Sequence, residues 1–594
     1  MRVRTALVDA ARVVGAHRWT WLRTALVLQA LAAVIAGPVI VLLLRAALGA
    51  AGVAALTEAS LGQVVRHPLA VLLLLVLAGV ATVIVLVQHA AFVLVARDLL
   101  GGHVPTVGDL ARQGLAAARR IAGPQAGLVL LYSFVLVPLG GFTLGASVAR
   151  GIELPPFIAG ELQKTPLGTA VWLLAVVAVV VLNLRLVLVP TLVLTTDLGP
   201  AGALAASWRL TRALAVKIAL VALATGAATA VLGGGLATAV VALARVSDLV
   251  WPAASPVVAG LALTAVQALL VVAQGLLAAW ASVALVLLAT PGRASELPGP
   301  PPAEDAPPRR TAPAVLVAAA VAAAVAAAAN TVALLNLGTG VTTQVVAHRG
   351  VTDGAVENTL ESLEAAAALG ADLVELDVLQ AGDGGLVVVH DTNLRRIAGV
   401  NRNVWEMTTA ELTATTVRQG GREGRLPTFD EFAQRADELD VPLLVELKTH
   451  GHEQGDLVGD VVAVLEAHDL VEDSLVQAFD AGTVEDIEMR FPAVSAGWVV
   501  AFSRGRLDPG AADFVTMEQT SYSPAVLQQA HAAGVQVYLW TVTDPVRMRA
   551  FVRDGVDGLI TGSPARALEE RAAVAAETGM AQRLEDALRS LTDW

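Results

Sequence analysis

Cysteine is absent from the 594 residues. No disulfide, thiolate metal site or cysteine nucleophile can therefore operate in this chain. The absence is compatible with either side of a membrane. Charge is scarce as well: Asp, Glu, Lys and Arg make up 15% of the chain, and aromatic residues 4%. Hydrophobic residues make up 56%, and the mean hydropathy is +0.67. That excess excludes a disordered chain and exceeds what an ordinary soluble protein carries. The little charge is unevenly divided. Up to Gly340 there are 21 Lys and Arg against 11 Asp and Glu, a net of +10; from Val341 onward there are 19 against 41, a net of −22. A basic, charge-poor first part joined to an acidic second part reads as a membrane domain fused to a soluble one. The soluble part has no basic cluster, so nucleic acid is not an expected partner.

A bilayer-spanning helix needs about 20 mostly apolar residues. Seven stretches qualify: Leu22–Leu44, Leu69–Val95, Ala126–Val148, Leu167–Thr195, Ala213–Leu243, Val257–Leu288 and Ala314–Leu335. The first is too long for a cleavable signal, and no small-residue cleavage site leads from it into a soluble domain. Gly233-Gly234-Gly235 is a candidate break within the fifth. The N-terminus (Arg2, Arg4, Arg12, Arg18), the second loop (Arg97, Arg112, Arg119, Arg120), the fourth loop (Arg209, Arg212) and the last linker (Arg293, Arg309, Arg310) carry more positive charge than the loops between them. The positive-inside rule then puts the N-terminus and that linker in the cytoplasm, and seven crossings put everything after about Gly338 outside. The division expected is a transmembrane helical domain of about six spans at 1–290, a Pro-rich linker at 291–313, a seventh transmembrane helix at 314–338, a soluble α/β domain at 341–576 and a C-terminal helical tail at 577–594. Asn183, Arg185, Gln88, His89, Gln267 and Gln274 fall inside spans, where polar groups are costly. They read either as a headgroup or substrate path, or as hydrogen bonds between helices.

In the soluble part the period changes. Short β-rich runs (344–349, 372–378, 442–448, 474–479, 495–500, 513–518, 536–542 and 557–561) alternate with helical patterns such as Leu360–Leu369 and Phe429–Glu438. Apolar strands alternating with helices predict a parallel sheet. Eight strands in this length suit a (β/α)8 TIM barrel, whose active sites lie at the C-terminal strand ends. An extra strand, Gly385–Asp391, and a loop to about Arg425 follow the second run.

Polar residues cluster at those strand ends. Glu375 and Asp377 lie two apart and so share one face of a strand. With Glu446 level on the next strand, three carboxylates converge, which implies a hard divalent cation, Mg2+ or Ca2+. The alternative is an ion-pair network with Arg349 and Lys448. His348 and His390, each at a strand end beside carboxylates, suit a proton-transfer pair, one of them alternatively a metal ligand. Arg349 and Lys448 suit a phosphate. Together these point to phosphodiester cleavage.

The motifs VAHRG, ENT (Glu357–Thr359), ELDV, VVVHD, LPTFDEF (Leu426–Phe432), VELK, LWTV and DGLITGSP occur in one order over about Gln344–Leu568. In them the chain resembles the glycerophosphodiester phosphodiesterase family. The resemblance implies a TIM barrel with an insertion after its second strand and one divalent cation. It implies His348 and His390 as acid and base, Glu375, Asp377 and Glu446 as metal ligands, and Arg349 and Lys448 as phosphate-binding residues. It also implies Trp540 lining the glycerol or leaving-group site, Glu357 as a ligand or a support behind the ligands, and Asn358 as such a support. The substrate implied is a glycerophosphodiester or lipid-derived molecule reached from the bilayer, yielding sn-glycerol 3-phosphate and an alcohol. Two readings compete. One is a phospholipase D-like reaction that releases a cyclic phosphate; the other is a lipid-binding or transport membrane protein with an accessory barrel. Gln477-Ala478-Phe479 and Trp540-Thr541-Val542-Thr543 depart from the family, which often has a Ser before the Phe and an Asn at the end of the second motif. Smaller signals read as a turn at Gly382–Gly385, core or leaving-group contacts at Trp405 and Met407, and a closing amphipathic helix at Met580–Leu591.

Overall fold

The computed structural model describes residues 3–121, 127–128, 162–163, 165–290, 312–338 and 342–593. The apolar first part forms helices, because an α-helix satisfies every backbone N–H and C=O within its own segment. Six stretches among the described residues are long and apolar enough to cross a membrane: Arg18–Ala51, Pro68–Leu100, Pro166–Thr195, Thr229–Val250, Ser255–Ala289 and Val317–Leu335. They coincide with six of the seven expected spans. The third, Ala126–Val148, lies almost wholly outside the described residues, as does the Pro-rich linker up to Thr311. Ala312 and Pro313, read as its end, instead open the helix Ala312–Leu335. Gly233-Gly234-Gly235 does not break the fifth span: one helix runs from Ala215 to Val250. The first span does change pitch, with a π-turn at Ala32–Ala36 just before Gly37-Pro38.

The helices pack around Trp21, Phe92, Leu99, Leu188 and Val283, with Trp21 stacked on Phe92 at 6.0 Å between ring centroids. Asn183, Arg185 and Gln267 bond locally or between helices, whereas Gln88 Oε1 and His89 Nε2 are buried with no hydrogen bond among the described residues. Asn330 Nδ2 on the last span donates to Thr264 Oγ1 and Gln267 Oε1, both at 2.8 Å. Arg185 lies over the Trp208 ring at 4.5 Å and donates to the Trp208 carbonyl, while Ser207 Oγ donates to the Arg185 carbonyl at 2.8 Å.

The soluble part is a closed barrel of eight parallel strands: β1 (Gln344–His348), β2 (Leu373–Gln380), β3 (Leu443–Leu447), β4 (Leu475–Ala478), β5 (Ser495–Val500), β6 (Phe514–Glu518), β7 (Gln536–Trp540) and β8 (Gly558–Thr561). Each pairs with the next, and β8 returns to β1. Val346, Leu373, Leu444, Phe514, Tyr538 and Ile560 meet as one cluster, a layer of the barrel interior. Glycine makes room for its aromatic members. A Cβ on Gly497 would stand 2.1 Å from the Phe514 ring, and one on Gly558 2.2 Å from Tyr538. The expected extra strand is shorter than its pattern. It spans only Leu386–Val388, antiparallel to β2, so His390 lies two residues beyond its end. Met407 is buried in the core beneath the insertion, and the Trp405 ring stacks on His452.

Both ends of the barrel meet the membrane helices. Beyond the C-terminal end of β5, Ser503–Gly505 pairs antiparallel with Ala55–Thr57, which connects the first two spans. At the opposite end, Gly338 N donates to the Arg553 carbonyl at 3.1 Å. The closing helix Met580–Asp593 packs Leu584 and Leu588 against Val241 and Ala244. Its first amides, Met580 N and Ala581 N, donate to the Asp248 carboxylate at 3.0 and 2.9 Å.

Candidate active site

At the end of β1 the chain turns sharply after His348. Arg349 has φ +59° and Gly350 φ +78°. A left-handed Arg costs on the order of 1 kcal/mol and persists only where its surroundings impose it. Two contacts impose it here. Arg349 N donates to Glu375 Oε2 at 2.8 Å, and Ser362 Oγ donates to the Arg349 carbonyl at 3.1 Å. Asn358 is also left-handed, at φ +59°, and its Nδ2 donates to Asp377 Oδ2 at 2.8 Å.

Glu375 and Asp377 share one face of β2, and the register of β3 sets Glu446 opposite Asp377. One oxygen from each of these three buried carboxylates lies within 4.8 Å of the others. Lys448 Nζ is 2.7 Å from Glu446 Oε1 and 3.2 Å from Asp377 Oδ1, and Arg349 Nε is 3.3 Å from Asp377 Oδ2. Burial pushes the Asp377 carboxyl up, but Lys448 and Arg349 outweigh it and hold the group far below the ordinary range. Glu375 goes the other way: burial first, then the charges of Asp377 and Glu446, push it well above that range. The expected ion pairs are therefore present, but they do not balance the carboxylates. Glu357, Glu375, Asp377, Asp391 and Glu446 face Arg349, Arg396 and Lys448, five carboxylates against three cations. The formal excess is two negative charges.

That excess matches a divalent cation. Asp377 Oδ1 and Glu446 Oε1 are buried without a hydrogen bond of acceptable geometry, and a set of three carboxylate oxygens suits Mg2+ or Ca2+. Gln477, a departure from the family pattern, braces this group. Its Nε2 donates to Glu446 Oε2 at 3.5 Å, and its Oε1 accepts from Thr516 Oγ1 at 2.8 Å.

His348 Nε2 stands 3.9 Å from Glu375 Oε2. Burial, reinforced by the Arg349 charge, pushes His348 well below its ordinary value and keeps the ring neutral. His390 Nδ1 lies 2.6 Å from Asp391 Oδ1. The adjacent carboxylate favours a proton on Nδ1 and leaves Nε2 to face a ligand. Asp391 also accepts from Arg396 Nε at 2.5 Å, and Arg396 grips Glu357 through both terminal nitrogens, at 2.5 and 3.2 Å. Glu357 further accepts from Arg349 Nη1 at 3.1 Å and Gln419 Nε2 at 2.9 Å. Glu357 thus ties the β1 turn to the insertion.

Sequence reasoning assigned no role to Arg396, Gln419 or Asp391. Asp391, beside His390, could have been found as a histidine–carboxylate pair. Arg396 lies in a one-turn helix, Arg395–Ala398, and Gln419 ends a four-residue strand, Thr416–Gln419, elements too short for a period to mark them. Trp540, at the end of β7, donates through Nε1 to the Thr516 carbonyl at 3.2 Å and meets Phe479 edge-on at 6.5 Å. A cavity of about 830 Å³ opens beside these residues, lined by His390, Asp391, Lys448 and Phe479 on one side and by Thr165 and Pro166 on the other.

Residues 9–312 match the family described as the membrane domain of glycerophosphoryl diester phosphodiesterase, and residues 348–566 match the glycerophosphoryl diester phosphodiesterase family. A glycerophosphodiester phosphodiesterase of Caldanaerobacter subterraneus is 26% identical over 235 residues, 37% of this chain and 95% of that protein. One of Bacillus altitudinis is 24% identical over 240 residues, 39% of this chain and 98% of that protein. Among solved structures, a phosphodiesterase of Oleispira antarctica in complex with the product sn-glycerol-3-phosphate is 24% identical. It covers 39% of this chain and 96% of its own, with a TM-score of 0.35. The chain belongs to the glycerophosphoryl diester phosphodiesterase family, as a phosphoric diester hydrolase that carries the family's membrane domain.

Proposed function

We propose that this chain hydrolyses glycerophosphodiesters to sn-glycerol 3-phosphate and an alcohol, in a cation-dependent reaction at the mouth of the barrel. The observation that carries this reading is the convergence of Glu375, Asp377 and Glu446 within 4.8 Å, with charge uncompensated by the cations around them. A divalent cation bound by these carboxylates would supply positive charge to a phosphoryl oxygen. Arg349 and Lys448 hold the phosphate, and Trp540 flanks the glycerol or the leaving group. His348, neutral through burial, accepts a proton from the attacking water as its oxygen bonds to phosphorus. His390, oriented by Asp391, gives a proton to the leaving alcohol oxygen as the other P–O bond breaks. Asn358 orients Asp377, and Glu357 orients Arg349 and the insertion.

Three regions divide the labour: helical spans to 290 and at 314–338, the barrel at 341–576, and the tail at 577–594. The N-terminus and the Pro-rich linker are cytoplasmic, and the barrel is extracytoplasmic, a reading supported by the arginine distribution among the loops. A transporter reading draws on mid-span Arg185, which here stacks on and bonds to Trp208.

His348→Ala and Glu375→Gln should each abolish metal-dependent release of glycerol 3-phosphate. Retained release in both would falsify the proposal. Phosphorus NMR of the product separates hydrolysis from internal attack, since a persistent cyclic phosphate marks the latter.

A further inference from the structure

In the reaction proposed above, His390 gives its proton to the leaving alcohol. His390 and Lys448 line the cavity at the barrel mouth, whereas His348, Arg349 and Trp540 are not among its described lining residues. The cavity thus lies on the leaving-group side of the phosphate, which leaves Trp540 to the glycerol. Among the described residues, three segments wall it. The insertion contributes Asn393, the stretch after β4 contributes Thr483, and Thr165-Pro166 of the membrane domain completes the enclosure. The loops that follow the strands normally build such walls in a TIM barrel. Here one wall comes from outside the barrel.

That wall is the end of a capped helix. Pro166 is the first residue of the helix Pro166–Leu186, and Gly168 N donates to Thr165 Oγ1 at 3.0 Å. Contacts elsewhere hold the barrel against the spans, and with it the position of the wall. Arg506 N donates to the Ala54 carbonyl at 3.1 Å, beside the pairing of Ser503–Gly505 with Ala55–Thr57. Arg583 Nη1 donates to the Leu334 and Leu335 carbonyls at 3.0 and 2.9 Å, at the end of the last span. The amides of Met580 and Ala581 reach Asp248. The barrel is therefore held at three further points of the helical domain.

Resting on the phosphodiesterase reading above, we infer that the leaving-group site is composite: Thr165 and Pro166 of the membrane domain close it and limit the size of the alcohol that can leave. The membrane domain is then a specificity element of the site as well as an anchor. Small-molecule sites favour such junctions between domains. A wall selects by overlap, which rejects a bulky group without holding a small one more tightly. Displacing the reacting atoms by ~1 Å can cost about 100-fold in rate, so a change in the wall acts on the chemistry as well as on binding.

The test uses the full-length protein in detergent micelles and two soluble esters that differ only in the leaving alcohol, glycerophosphoethanolamine and glycerophosphoinositol. Release of glycerol 3-phosphate is the common readout. Pro166→Trp narrows the cavity at the first position of its helix, where an N–H lies outside the helical ladder. It should raise the ratio of kcat/KM for the ethanolamine ester to that for the inositol ester about tenfold. A ratio that does not move, whether both esters are slowed alike or neither is, overturns the inference. A second readout needs no turnover. The chain has no cysteine, so Pro166→Cys combined with Thr483→Cys places the only two thiols on facing walls of the cavity. A short bismaleimide should join them within one molecule, seen by mass spectrometry as one bridged pair of peptides. Absence of that bridge also overturns the inference. A bridge in a protein whose wild-type form releases no glycerol 3-phosphate from either ester would count against the phosphodiesterase reading alone.

Discussion

His390 shows how much a neighbour decides. The VVVHD motif marked it out, though it stands two residues past the strand, but the 2.6 Å contact to Asp391 and the grip of Arg396 on Asp391 were not legible. Asp391→Asn keeps the shape of the side chain and removes the charge that orients the ring. We expect kcat to fall by about 10- to 100-fold, the usual cost of losing a supporting carboxylate, with KM little changed. A loss confined to KM would show that Asp391 acts on binding rather than on the proton. Arg349 carries a similar lesson. Its charge next to a histidine was readable as phosphate-binding, but its left-handed backbone follows from where Glu375 and Ser362 stand.

Among the elements, strands and helices largely follow their sequence patterns. Leu360–Leu369 and Phe429–Glu438 form the helices expected, each begun by a threonine capping box. The fifth barrel run forms a strand over the whole of Ser495–Val500. Within it Gly497 has a tertiary cause. Gly497→Ala would press a Cβ into the Phe514 ring and should destabilise the barrel by about 1–3 kcal/mol, measured by chemical denaturation followed through tryptophan fluorescence.

The insertion was legible only as an interruption, because ion pairs rather than apolar periodicity organise its contact with the site. Against the upward push of burial, Arg349 and Arg396 hold Glu357 below the ordinary carboxyl range, and hydrogen bonds from His390 and Arg396 do the same for Asp391. Carboxyls with lowered folded values contribute stability that is complete above their unfolded values, near 4, and is lost as pH falls through the folded ones. Amide exchange over residues 391–419, corrected for its intrinsic pH dependence, should therefore rise as pH drops from about 5 to 3. Protection that does not change over that range would show that these pairs do not hold the insertion.

For the whole molecule, charge and hydropathy speak first. The orientation proposed from the arginine-rich loops expects a reporter active only outside the cytoplasm to be active when fused at the C-terminus. Activity of a cytoplasm-only reporter there would reverse the orientation proposed. How the barrel rests on the spans is another matter. The stretch Met580–Leu591 reads from sequence only as a closing amphipathic helix. In the structure it also packs against Val241 and Ala244 of a membrane helix and takes its capping carboxylate from Asp248.

Local pattern was enough to tell a spanning helix from a barrel strand and to bring Glu375, Asp377 and Glu446 to one level. Hydropathy and strand alternation act between near neighbours, and parallel register carries them one strand further. The bracing of Glu357 by Arg396 and the membrane helix in the cavity wall depended on tertiary contacts. These join residues tens to hundreds of positions apart. Such contacts carry no period along the chain, so they take shape only when packing brings the segments together.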